Sequence, residues 1–473
     1  MDVRPASALD AVLQARERRA AARAALAAEG RASVSLTLNV PGWPKSSPAL
    51  ARFFNLALEQ LLDHLAARRL GPDLARSFRD VDAAGDFFLA PAASRRLDAA
   101  ELKAAGEEFE AGHPLGRFLD VDVVDAAGRP VSSGRAKPCF VCGARPAVVC
   151  MRLGTHAPGE ARALLETRVA AFLDEDRARR VARRLAEFAL RAALYEVSLA
   201  PKPGLVDRFS AGAHDDMDFY TFLNSSAALA PRFEALAAAG WASAGDPPAA
   251  WLPRLRELGL EMERAMRAAT GGANTHKGLI FLAGLALFGA ARTIRARGAW
   301  DERAFRRAVG ATVRGLAERE LGGPADVDEL SHGELAARRH GARLAGGARR
   351  EAERGFPTVF RAGLPELRRR APEGLPARGA AEIDGALRPA LHALIAAGRD
   401  TNVLHRGGTA VLSGLRRRAK AALLADGRDG GAAERELARY ALARRASAGG
   451  AADLLAVSLF VRWAELEWAG GPR

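Results

Sequence analysis

Two hydrophobic rhythms divide this chain. From Ser33 to Val40 the period is two: Val34, Leu36, Leu38 and Val40 share one side, which predicts a half-buried strand. Arg117 to Asp125 repeats the pattern. Leu119, Val121 and Val123 lie on one face, and Asp120 and Asp122 share the other, roughly 7 Å apart at Cα. Around these strands a helical period predicts helices over 8–29, 48–69 and 97–111, the second opened by Pro48. Weaker strands fall near 76–81 and 86–90. The expectation for this part is an α+β domain with a mixed sheet and flanking helices.

Between Gly159 and Ala200 there is neither proline nor further glycine, and helical periodicity persists. The first domain therefore hands over inside helical sequence, and the expected domains are 1–170 and 171–473. The second is expected to be an all-α bundle. Gly-, Pro- and Asp-rich breaks punctuate it at 201–216, 243–248, 270–278, 321–328, 355–365, 398–408 and 446–450, with no fixed repeat. Its longest apolar run, Gly278 to Ala290, reads as a core helix too short to span a bilayer.

Composition adjusts this picture in three ways. At 473 residues and 49% hydrophobic, the chain has enough apolar surface for two cores. A net charge of +14 favours polyanionic small molecules or an acidic protein as partners. The Arg runs sit in helical sequence without interleaved aromatics and read as solvated faces, so neither nucleic acid nor a membrane is expected as a partner. Three cysteines, no disulfide pattern and no apolar signal core lead us to expect a reducing, cytoplasmic setting.

The chemistry concentrates in the breaks. Pro201-Lys202-Pro203-Gly204 is stiff and cationic, and Asp207, Asp215, Asp216 and Asp218 follow it closely. Such a loop suits phosphates and a divalent metal held together, although Asp215 and Asp216 could equally cap the next helix. Gly271, Gly272, Asn274, His276 and Lys277 form an anion site at a helix start; the Gly-Lys-Ser/Thr order of a P-loop is absent. Further polar loops carry His332-Gly333-Glu334, Arg349 and Glu351, Asp400, Asn402 and Arg406, and Asp453. A helical bundle builds a site by converging such side chains at its centre. Asp120 and Asp122 are either a Mg²⁺-gripping pair or two solvated acids. Cys139, Cys142, Cys150 and His156 are either a small zinc site or buried free thiols.

Taken together, EVSLAPKPGLVDRFSAGAHDDMDFYTFLNSSAALAP, TGGANTHKG, GARREAERGFPTV, DTNVLHRGG and GGAADLLA resemble triphosphoribosyl-dephospho-CoA synthase over about 190–473. Ala448 and Ala451 depart from that family's usual Pro and Ser. SLTLNVPGWPKSSP, HPLGRFLDVDV and the cysteine segment resemble apo-citrate lyase phosphoribosyl-dephospho-CoA transferase over about 8–165. The whole is similar to fusions of the two, transferase first.

The resemblance implies a nucleotidyltransferase-like first domain and ATP, Mg²⁺, 3′-dephospho-CoA and the citrate lyase acyl-carrier subunit as substrates and partners. It also implies that Lys202, Lys277, Arg349 and Arg406 hold phosphates, and that Asp207, Asp215 and Asp218 hold Mg²⁺ or face the ribose. Glu351, Asp400 and Asp453 are then base or cation stabiliser. Asp120 and Asp122 become metal ligands, with Lys45 and Arg117 steadying the triphosphate or the carrier. The rival readings are a basic RNA-binding nucleotidyltransferase and a non-catalytic CoA-binding scaffold.

Overall fold

The computed structural model describes residues 6–134, 136–321, 346–375, 379–426 and 431–470, with 335, 339, 341 and 428. His332-Gly333-Glu334 lies outside them. The chain separates into two compact units, Met1–Arg177 and Ala178–Arg473.

The first unit runs α1 (Ala6–Ala28), β1 (Ser33–Leu38), α2 (Pro48–Ala67), β2 (Phe78–Asp82), β3 (Gly85–Pro91), α3 (Ala99–Gly112), β4 (Leu119–Val124), β5 (Pro130–Val131) and α4 (Ala147–Arg152). Helix α5 (Pro158–Ser198) contains the division between units. The strands form one sheet in the order β2-β3-β1-β4-β5, and every neighbouring pair is antiparallel. This corrects the expectation of a mixed sheet. The crossovers through α2 and α3 do join strands of like direction, β1 to β2 and β3 to β4. In each case an oppositely directed strand lies between them, so no parallel pair touches.

One sheet face, with Val34, Leu36, Phe88, Val121 and Val123, packs on α2 and α3 through Phe53, Phe54, Leu61, Leu102 and Phe109. Phe53 and Phe54 are fully buried, each contributing about 1.5–3 kcal/mol by leaving water. β1 is also buried on its second face at Ser33 and Ser35, where a half-buried strand was expected. The cause is α1: Arg23 Nη2 donates to Ser35 Oγ at 2.8 Å, and Arg19 lies over the Phe87 ring at 4.6 Å. Along β4, burial alternates as its sequence predicts, so Asp120 and Asp122 stay partly open to solvent. Both β5 and α4 are too short to leave a periodic signal.

Among the described residues the second unit is all-helical: α6 (Phe219–Ala242), α7 (Leu252–Ala269), α8 (Lys277–Arg297), α9 (Glu302–Thr312), α10 (Leu316–Leu321), α11 (Gly347–Glu353), α12 (Leu364–Arg370), α13 (Ala380–Ala397), α14 (Thr401–Ala425), α15 (Ala432–Ala443) and α16 (Gly449–Trp468). The segment 400–408, expected to be a loop, is helical from Thr401, because Asp400 caps it through Asn402 N and Val403 N; the chain breaks only at Gly408. Helix α8 is long and apolar enough to cross a membrane by length and composition, a correction to the shorter run expected. Its side chains are spent on the core of this unit. Helices α8 and α16 are both apolar almost all round and pack on each other at the bundle's centre. Their N-terminal turns meet, and that meeting point defines the site.

Candidate active sites

A cavity of about 1240 Å³ opens in the second unit. Nine lysines and arginines line it against six carboxylates, a balance that suits a polyanion. Its deepest chemistry sits between α8 and α16. Gly278, in the first turn of α8, lies directly under the Asp453 carboxylate, and a Cβ at 278 would overlap it. No described residue donates a hydrogen bond to Asp453. Burial raises its pKa well above the ordinary carboxylate value, and the neighbouring acids Glu196 and Asp400 push it the same way; Lys202 opposes them. Lys202 is itself buried, with Nζ 2.5 Å from Glu196 Oε1.

Asp400 is differently occupied. Its carboxylate accepts from Asn402 N (2.9 Å), Val403 N (3.1 Å) and Ala451 N (3.3 Å), joining α14 to the first turn of α16. Burial nonetheless raises its pKa. Glu351 also titrates high because it is buried, and it accepts from Thr358 N (2.7 Å) and Oγ1 (2.9 Å). The tight turn at Gly355-Phe356, both at positive φ, brings Thr358 back to it.

His276 is buried beside Phe222 with a pKa lowered to about 3 by burial and then by Lys202, so it is neutral. Thr275 Oγ1 donates to Ser225 Oγ (2.8 Å), and Ser225 Oγ lies 2.7 Å from His276 Nδ1. Nδ1 thus accepts and Nε2 carries the proton, a buried donor with no described partner. Lys277 is held 3.3 Å from Glu263, and Arg349 is held 2.7 Å from Glu320.

Of the residues singled out in sequence, Lys202, Asn274, His276, Lys277, Arg349, Glu351, Asp400, Asn402 and Asp453 share this cavity. Asp207, Asp215, Asp216, Asp218, Arg406, Gly271 and Gly272 do not line it. Asp207 spends its oxygens on Lys202 N, Phe209 N and Ser210 N, which shapes the Pro-Lys-Pro-Gly loop. Asp218 caps α6 in a reciprocal box with Thr221. Asp215 pairs with Arg445 in a shallower depression that also holds Arg406. These three aspartates, expected to hold Mg²⁺ or face the ribose, form no common ligand cluster. His214 lines both the depression and the cavity and lies 2.8 Å from Ser447. Gly271 and Gly272 turn the chain outside the lining, at positive φ.

A second polar site lies on the first unit's sheet. Asp120 and Asp122 sit opposite Thr37 and Ser35 of β1. Lys137 Nζ is 2.8 Å from Asp120 Oδ1 and 2.8 Å from Glu110 Oε2. Arg23 stands 3.7 Å from Asp122. Partial burial raises the Asp122 pKa, and the like charge of Asp120 adds to it. Burial likewise raises Glu110. Two acids that repel one another beside open solvent fit a divalent cation. The other expected members are engaged locally: Arg117 Nε donates to Pro138 O (2.9 Å), and Lys45 Nζ donates to Val40 O (2.7 Å).

Lys137, Glu110 and Glu196 were missed in sequence. The two glutamates sit inside helices and read as ordinary solvated acids, and Lys137 lies outside the polar loops singled out.

Residues 182–471 match the family described as ATP:dephospho-CoA triphosphoribosyl transferase. Residues 7–172 match apo-citrate lyase phosphoribosyl-dephospho-CoA transferase. The chain belongs to both families, with the apo-citrate lyase transferase first and the triphosphoribosyl transferase second. The same arrangement runs through protein CitXG of Leuconostoc mesenteroides subsp. cremoris, 31% identical over 70% of this chain and 71% of that one. Over the second half, a probable 2-(5''-triphosphoribosyl)-3'-dephosphocoenzyme-A synthase of Vibrio cholerae is 38% identical, covering 48% of this chain and 70% of that protein. One from Streptococcus pyogenes is 39% identical, covering 47% and 76%. The chain is therefore a bifunctional transferase of citrate lyase prosthetic-group biosynthesis.

Proposed function

We propose that the second unit joins ATP to 3′-dephospho-CoA, and that the first unit attaches the product to a serine of the citrate lyase acyl-carrier subunit. In the first step the CoA ribose 2′-hydroxyl oxygen bonds to C1′ of the ATP ribose. The C1′–N9 bond breaks, and adenine leaves with the bonding pair, taking up a proton from solvent to become the neutral base. The hydroxyl proton passes to Asp453. Lys202, Lys277 and Arg349 hold the triphosphate, and the first turn of α8 adds backbone donors. Asp400, already committed to backbone N–H groups, positions the loops, and Glu351 faces the developing positive charge on the ribose.

In the second step the serine oxygen attacks the phosphorus nearest the new ribose, the bond from that phosphorus to its bridging oxygen breaks, pyrophosphate leaves, and the serine proton passes to solvent. Asp120 and Asp122 are the residues that would hold Mg²⁺, whose charge neutralises the leaving phosphates. Lys137, 2.8 Å away, orients Asp120.

The observation that carries this reading is the Asp453 carboxylate, seated on Gly278 without a donor inside a cationic cavity. The test is mass spectrometry of an apo acyl-carrier subunit incubated with this protein, ATP, Mg²⁺ and dephospho-CoA. The expected result is a carrier heavier by one prosthetic group, with adenine released. An unmodified carrier and no free adenine would defeat it.

The seat itself gives a sharper prediction. Gly278→Ala should preserve α8, since alanine favours helix more than glycine does. The added methyl displaces Asp453, and a shift on the order of 1 Å costs about 10²-fold in rate. Adenine release measures the loss, while carrier labelling from preformed intermediate should stay at the wild-type rate.

A further inference from the structure

The segment between β5 and α5 has almost no regular structure. It contains an isolated bridge between Pro138 and Pro146 and the six residues of α4. Yet it holds its shape around three sulfurs and an imidazole. Ligand atoms of Cys139, Cys142, Cys150 and His156 all lie within 4.8 Å of one another, the one such grouping among the described residues.

The local geometry is that of a ligand turn. Gly143, at φ 65°, curls the chain after Cys142, and its N–H returns to Cys139 O at 2.8 Å. This points both thiols of the C-x₂-C pair the same way. Cys150 comes from α4, and Thr155 N donates to Cys150 O at 3.0 Å, which brings His156 round to close the group. Cys142 Sγ and Cys150 Sγ are 3.7 Å apart. That is too far for a disulfide and matches the edge of a tetrahedron with zinc–sulfur bonds of about 2.3 Å, whose edge is about 3.8 Å. All three cysteines are free, and His156 Nε2 is a buried polar atom with no described hydrogen-bond partner.

We propose that Cys139, Cys142, Cys150 and His156 bind one structural Zn²⁺. Three thiolates and a neutral imidazole complete a closed four-coordinate site, and the thiol protons are released to solvent on binding. The metal replaces the hydrophobic core this segment lacks. Phe140, inside the C-x₂-C turn, packs edge-on against Phe118 at 4.9 Å, which anchors the knuckle to the domain. Two residues before Cys139 stands Lys137, the cation on Asp120. The zinc site thereby fixes the approach of Lys137 to the aspartate pair.

The test is metal analysis of the purified full chain, which does not depend on the proposed reactions. About one zinc per chain is expected, retained through dialysis against a weak chelator and released when a mercurial blocks the thiols. Cobalt loaded in its place should show intense thiolate-to-metal bands and tetrahedral d–d absorption. The Cys142→Ser/Cys150→Ser double variant should lose the zinc while the full chain keeps the wild-type circular dichroism spectrum and gel-filtration volume. A wild-type chain free of zinc even after growth in zinc-supplemented medium would overturn the proposal. So would a Cys142–Cys150 disulfide in its peptide map, or full zinc in the double variant.

Discussion

Asp453→Asn should lower adenine release from ATP and dephospho-CoA by about 10²–10⁴-fold, the range expected on losing a positioned proton acceptor. The same substitution should make the second unit more resistant to heat at neutral pH. Both effects have one cause. In the folded state the carboxyl is buried and faces Glu196 and Asp400, with only Lys202 opposing, so its pKa is raised. A raised carboxyl binds its proton more tightly folded than unfolded. Its favourable contribution is therefore complete below the unfolded pKa and is lost as pH rises through that value to the raised one. Above that window the ionised group costs stability, and asparagine removes the cost at nearly constant shape.

The rate should follow the opposite sense. A base works only when ionised, so adenine release should climb with pH along a limb set above the ordinary carboxylate range. That limb should vanish in the variant. A thermal scan and a pH–rate profile on one preparation check both halves. Wild-type adenine release from Asp453→Asn would remove Asp453 from the chemistry.

Much of this site could be read from the chain, and the reason is local. A glycine-backed polar loop at a helix start leaves a pattern within ten residues. Lys202, His276, Lys277, Asp400 and Asp453 were all legible in that way and do share one cavity. What the pattern could not reveal is how each acid spends its oxygens. Asp207 and Asp218 have the same local signature as Asp453, but their neighbours' N–H groups take them up as turn and cap. Asp453 stays unclaimed because its helix neighbours are apolar and a glycine from another helix lies beneath it. That relation spans 175 positions of sequence and has no local trace. Glu196 was invisible for the same reason, since inside a long helix it looks like any solvated acid until Lys202 folds onto it. On the sheet, alternation revealed the Asp120–Asp122 face, whereas strand direction depended on which strand inserts into each crossover. A period of two carries no information about that.

Asp120→Asn should reduce carrier labelling by about 10²–10³-fold, the usual cost of removing one charged group that stabilises a transition state. Adenine release should not change. Asp120 is the acid that Lys137 contacts at 2.8 Å, and it raises the pKa of Asp122. Replacing it with the neutral amide lets the Asp122 carboxyl fall back toward its ordinary range. At neutral pH Asp122 is then the more readily ionised, so failure cannot be assigned to a protonated partner. It must come from the lost charge at 120. Lys137→Met tests the same geometry from the other side. Glu110 and Asp120 are left facing each other without their shared cation, so Glu110, already raised by burial, should take up a proton more readily. Labelling should weaken in that variant and recover partly with Lys137→Arg, which restores the charge in a different shape. Full labelling by Asp120→Asn would return the aspartate pair to an ordinary solvated face and leave the transferase without its metal grip.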